Sequence, residues 1–102
     1  EAWLAGHLQP EGFITVDKGA ARALKDGASL LAVGVTDVEG SFDKGAAVAI
    51  KAPEGKIIAR GVTAYSAADI QRIAGRQSDE TEAILGYRGR PAIVHRDDMV
   101  RT

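Results

Sequence analysis

Apolar side chains recur in two rhythms along this chain, and the switches between them mark out its elements. Phe13-Ile14-Thr15-Val16 is a β-branched and aromatic run that reads as a strand. Asp17 follows where a helix N-cap belongs. From Lys18 to Asp26 the spacing becomes helical, with Ala20, Ala23 and Leu24 on one face and Lys18, Arg22 and Lys25 on another. Gly27 stands where a left-handed helix exit favours glycine. Leu30 to Val35 returns to strand character and runs on towards Val38. Residues 12–35 thus read as strand, capped helix, tight exit and second strand, and the later elements are arranged around this unit.

Glu39-Gly40 and Asp43-Lys44-Gly45 are turn signals on either side of Phe42. Ala46 to Ala52 alternates, with Val48 and Ile50 on one face and Lys51 on the other. Pro53-Glu54-Gly55 is a turn, and Lys56 to Tyr65 returns as a strand, which makes a hairpin. Gly61 inside that strand signals a bulge or a close backbone approach. Ser66 has the position of an N-cap, with Asp69 three residues on, for a helix that packs through Ile70 and Ile73 and stops near Gly75. A further short helix is expected with Ser78 or Asp79 as cap, an acidic first turn, and Thr81, Ile84 and Leu85 as its apolar face. Gly86 ends it. Residues 88–91 read as a loop, Ala92-Ile93-Val94 as a final strand, and Arg96 to Val100 as a terminal turn. Short strands with three short helices, none in βαβ rhythm, predict a small α+β domain with a β-barrel-like core.

Composition narrows this picture. The 102 residues suffice for one modest core, carried by Ala, Val, Ile and Leu because aromatics are few. Thirteen basic and fourteen acidic side chains leave a net charge of −1, less basic than a dedicated nucleic-acid binder. The absence of cysteine excludes disulfides, thiol nucleophiles and thiolate metal sites, and suits a reducing cytoplasm. No apolar run reaches the roughly 18 residues of a membrane span. The opening segment, residues 1–11, begins with Glu rather than Met and carries the apolar pair Trp3-Leu4. It is expected to be a linker from an upstream domain, with Trp3 packing as its anchor.

Candidate chemistry is sparse. His95-Arg96-Asp97-Asp98 opens like a protein-kinase catalytic loop, but the chain contains no asparagine, and Thr102 stands five residues after Asp97, where that motif requires one. His7 and His95 are the only histidines and share no ligand spacing. Ser66 and Ser78 lack a Gly-x-Ser-x-Gly elbow, and no phosphate-loop motif is present. An independent small enzyme therefore has no residue constellation behind it. What remains is the stripe of Lys18, Arg22 and Lys25, which a positive helix face could offer to an anion, although a charged outer face is the default for any amphipathic helix. Arg88, Arg90 and Arg96 could extend such a surface. Stacking aromatics for single-stranded nucleic acid are scarce.

The series Gly12-Phe-Ile-Thr-Val-Asp17-Lys-Gly-Ala and then Ser29-Leu-Leu-Ala-Val-Gly34-Val resembles the PUA domain, a small pseudo-barrel named for RNA-modifying enzymes. The later landmarks are narrower. Residues 38–45, Ile58 to Gly61 with Tyr65-Ser66, Ile84 to Tyr87, and Val94 to Val100 resemble the C-terminal PUA domain of the bacterial glutamate 5-kinase family. Two departures are Ala32, where that family commonly has proline, and Ala46, where an acidic residue is common. The resemblance implies a PUA-like β pseudo-barrel with short flanking helices over residues 12–102, and a missing upstream amino-acid-kinase domain. It further implies a parent enzyme that phosphorylates the side-chain carboxylate of L-glutamate with ATP and Mg²⁺ in proline biosynthesis. None of that family's catalytic, cofactor or metal residues fall on this chain. The module would then be an accessory or regulatory domain, with the kinase domain and other copies of the parent as partners and no membrane. RNA is the alternative partner: by resemblance to other PUA proteins, Lys18, Gly19, Arg22 and Gly34 occupy RNA-contacting places, beside Lys25 of the same stripe.

Overall fold

A computed structural model describes residues 10–86 and 92–101. Among the described residues five strands, β1 (Gly12–Val16), β2 (Val35–Gly40), β3 (Ala47–Lys51), β4 (Ile57–Val62) and β5 (Met99–Arg101), are interspersed with three α-helices. These are α1 (Lys18–Lys25), α2 (Ala67–Ile73) and α3 (Ser78–Leu85). The strands form one sheet in the order β2-β1-β3-β4-β5. All neighbours are antiparallel except β1 and β3, which run parallel with Ile14 opposite Ile50. The hairpin of β3 and β4 and the α+β class are as the sequence predicts.

The core is aliphatic. Ile14, Val16, Val48 and Ile50 from the sheet meet Leu24 of α1 and Ile70 and Ile73 of α2, all at 2 % exposure or less. Each such side chain contributes about 1.5–3 kcal/mol by leaving water. Phe42 and Tyr65 are the aromatic members.

Several local expectations are corrected. Leu30 to Gly34 is not strand: Leu30 forms an isolated bridge to Val94, and Ala32–Gly34 is a single 3₁₀ turn. The turn follows from Gly34 seating against α1, which diverts the chain before β2 begins. The segment Ala92 to Val94 likewise makes only that bridge, and the last strand is instead Met99–Arg101, where a turn was expected. Edge pairing decides this, because β4 has a free edge whose Ala59 and Gly61 meet Arg101 and Met99. Gly61 marks a close approach: a Cβ there would stand 2.7 Å from the Asp98 carbonyl oxygen and 2.7 Å from Val94 Cγ1. The register irregularities lie elsewhere, at Thr15/Val16 and Ile50/Lys51. The N-cap of α3 is Gln77, one residue before the expected cap, because Glu80 reaches back and accepts the Gln77 amide at 3.1 Å. The strand expected to reach Tyr65 stops at Val62. Beyond it the Thr63 hydroxyl donates to the Tyr65 carbonyl at 2.8 Å and accepts the Tyr65 amide at 3.1 Å, turning the chain into α2.

The expected linker with Trp3, and the loop carrying Arg88 and Arg90, lie outside the described residues. Among the described residues no helix is long and apolar enough to cross a membrane.

Candidate anion-binding groove

Helix α1 is short, so its ends decide whether it forms. The Asp17 carboxylate accepts the Ala20 amide at 2.7 Å, satisfying one of the free N–H groups of the first turn. The Asp17 amide donates to the Gly34 carbonyl at 2.9 Å, tying the helix start to the turn before β2. At the other end Asp26 caps through its backbone and Gly27 takes φ +99°. Arg101 of β5 adds a tether from across the domain: its Nε donates to the Leu24 carbonyl at 2.5 Å.

With α1 so placed, its outer face forms one wall of a groove of about 520 Å³. The opposite wall is the turn between β3 and β4, with Lys56 and Glu54, and Arg101 closes one side. The three cations of the sequence-predicted stripe, Lys18, Arg22 and Lys25, all line it. Five cations and one carboxylate therefore share a space whose floor is Leu24, Ile58, Ala52 and Pro53. The described ion pairs are Lys51 with Glu39 at 3.8 Å and His95 with Asp97 at 3.6 Å, and neither uses a groove cation. Such a concentration of unpaired positive charge stands out in a chain of net charge −1.

Folding accounts for part of this charge. Arg22 and Lys25 lie in the last turn of α1, where they complement the helix dipole. Lys18 does not, for it sits at the positive end and stands one turn from Arg22.

The other two residues singled out by resemblance are placed differently. Gly34 is buried, and a Cβ on it would stand 2.5 Å from Ala20 Cβ; its lack of a side chain lets α1 dock. Gly19 is exposed in the first turn, where a Cβ would meet only Asp17 Oδ1 at 3.6 Å. Neither lines the groove. Lys56 and Arg101 do line it and were not legible as site residues, because Lys56 falls at the expected start of a strand and Arg101 lies just past the turn expected over Arg96 to Val100. The kinase-like His95-Arg96-Asp97-Asp98 run is a small structural turn: His95 Nδ1 accepts the Asp97 amide at 3.1 Å, and the Arg96 amide donates to Ser29 Oγ at 2.9 Å. Among the described residues no group of three or more His, Asp or Glu side chains could hold a metal ion.

The PUA domain model matches residues 12–85. This chain belongs to the PUA domain family. Among curated relatives, glutamate 5-kinase of Rhizobium etli (strain CIAT 652) is 60 % identical over 98 residues, covering 96 % of this chain and 25 % of the relative. Glutamate 5-kinase of Brucella ovis is 51 % identical over 100 residues, covering 98 % and 26 %. The chain thus spans about a quarter of the length of the relatives it matches. Among solved structures, a PUA domain from Aeropyrum pernix K1, determined as a tartrate complex, superimposes with a TM-score of 0.65 at 30 % identity, over 83 % of this chain and 41 % of that one. A conserved PUA domain protein from Thermoplasma acidophilum gives a TM-score of 0.57 at 26 % identity, over 80 % and 46 %. As a PUA domain the chain keeps the α+β pseudo-barrel that its opening unit implied.

Proposed function

We propose that this PUA domain is the accessory module of a glutamate 5-kinase, non-catalytic itself and acting through the kinase domain of the same polypeptide or through other copies of it. The observation that carries this is the 51–60 % identity over nearly the whole chain to glutamate 5-kinases of which it covers only about a quarter. The parent enzyme would transfer the ATP γ-phosphate to the side-chain carboxylate of L-glutamate with Mg²⁺ in the cytoplasm, with all catalytic and nucleotide-binding groups in the rest of the polypeptide. The test is to delete residues 1–102 from the parent and measure kinase activity, inhibition by proline and oligomer size. A change in at least one is expected, and no change in any of the three overturns the reading.

A second reading, RNA binding, is favoured by one observation: Lys18, Arg22 and Lys25 converge with Lys56 and Arg101 on one concave surface. Phosphate contacts of this kind weaken steeply with salt. Labelled structured RNA titrated at low and high salt, with the Lys18→Glu/Arg22→Glu double variant as control, tests it. Binding that is absent, or indifferent to the double variant, excludes it.

A further inference from the structure

The groove has two features that an RNA-backbone track does not need. It is concave on three sides, walled by α1, the β3–β4 turn and Arg101, and its volume of about 520 Å³ lies within the usual range for small-molecule sites. It also has an apolar floor, in which the half-buried Ile58 and the exposed Pro53 lie over the buried Leu24 and Ala52. We propose that the groove between α1, the β3–β4 turn and β5 is a binding site for a small organic phosphate, with Arg22, Lys25, Lys56 and Arg101 as the phosphate-contacting cations and the Pro53–Ile58 floor taking the organic body.

Charge selects the ligand class. Five cations against Glu54 leave the lining at about +4, too much for a mono- or dicarboxylate and suited to a group that concentrates three or four negative charges. Arg101 is already oriented. Its Nε is committed to the Leu24 carbonyl, so the side chain is held beside α1 at the edge of the groove it lines and loses little freedom when its guanidinium takes a phosphate. The lysines supply point charges around that fixed centre. Because Arg101 belongs to the last strand, a bound phosphate also strengthens the attachment of β5 to α1.

This proposal shares its groove with the RNA reading, and the experiment separates the two as well as testing the site. Titration calorimetry on this chain at low salt compares UTP, inorganic tripolyphosphate, uridine and a structured RNA. UTP is expected to bind about tenfold more tightly than tripolyphosphate, with uridine undetected. Lys56→Gln, on an exposed turn that the core does not use, is expected to weaken UTP about tenfold, and Arg101→Gln at least as much. Thermal melts of the free variants show whether Arg101→Gln has simply loosened β5, and Lys56→Gln carries the decision if it has. Binding of RNA without UTP overturns the small-molecule site and leaves the RNA reading standing. Equal affinities for UTP and tripolyphosphate overturn the role of the floor, and UTP binding unchanged by Lys56→Gln overturns the location.

Discussion

Helices α1 and α2 are almost equal in length and are held to the same core by opposite means. Helix α2 puts Ala67, Ile70 and Ile73 into the interior, the two isoleucines at 1 % exposure or less. Helix α1 buries one large side chain, Leu24, and owes its position to the Asp17 cap, the Gly34 carbonyl, the Arg101 tether and the close fit of Ala20 on Gly34. Burial is non-directional and covers most of a short helix. Capping and a single close contact hold the ends and one line of atoms, which leaves a broad face free. The helix that carries the groove is the one fixed by polar ends. A binding face is affordable there because stability does not depend on covering it.

That contrast can be broken most forcefully at α2. Ile70→Ala should cost about 2–5 kcal/mol in denaturant unfolding, from lost transfer energy plus a cavity. A loss near that expected of an exposed residue would mean that α2 is not a core helix. For α1 the corresponding position is a glycine. Gly34→Ala should cost about 1–3 kcal/mol, since its new methyl must displace Ala20 Cβ. The companion Ala20→Gly change should recover part of this, and a failure to recover would locate the strain elsewhere.

Asp17→Ala tests the polar end directly and should lower stability by about 1 kcal/mol. Amide exchange in the first turn of α1 should rise more than exchange in α2. Lys18→Glu works in the opposite sense from an ordinary surface change. It should raise stability by about 0.3–1 kcal/mol by placing negative charge at the helix N-terminus, while weakening any anion in the groove. A destabilised variant would show that Lys18 serves folding after all.

The smallest effect concerns pH and lies at the foot of α2. Burial first, and then the Asp69 carboxylate, hold the Tyr65 phenol above its ordinary pKa. The unfolded chain therefore gives up this proton at lower pH than the folded one does. The associated stability is present below the unfolded value of 10.0 and is lost as pH rises through the folded value. Tyr65→Phe should flatten the fall in stability above pH 10 relative to the parent chain.

The elements whose boundaries were legible in the sequence are those fixed by neighbouring residues. Asp17 ahead of an amphipathic run, Gly27 after it, Ser66 with Asp69, and Pro53-Glu54-Gly55 between two strands act within a few residues of themselves, and each forms as its spacing dictates. The family landmarks belong with them, as does the α1 stripe, because i, i+4 and i+7 follow from helix geometry alone.

Long-range pairing decided the rest. Ala92-Ile93-Val94 has stronger strand character than Met99-Val100-Arg101, yet the latter forms the strand because β4 offers it an open edge and Gly61 lets it approach. Leu30 to Gly34 has the composition of a strand and turns instead, because Gly34 is needed under Ala20. The groove is the same kind of outcome. Its helical cations were visible along the chain, but Lys56 and Arg101 lie about thirty and seventy-five residues further on. Only the parallel seam of β1 with β3, and β5 laid on β4, bring them to α1. Local spacing sets a cap or a stripe because its energy is settled between near neighbours. A binding surface is assembled by chain reversals whose energy is settled elsewhere in the core.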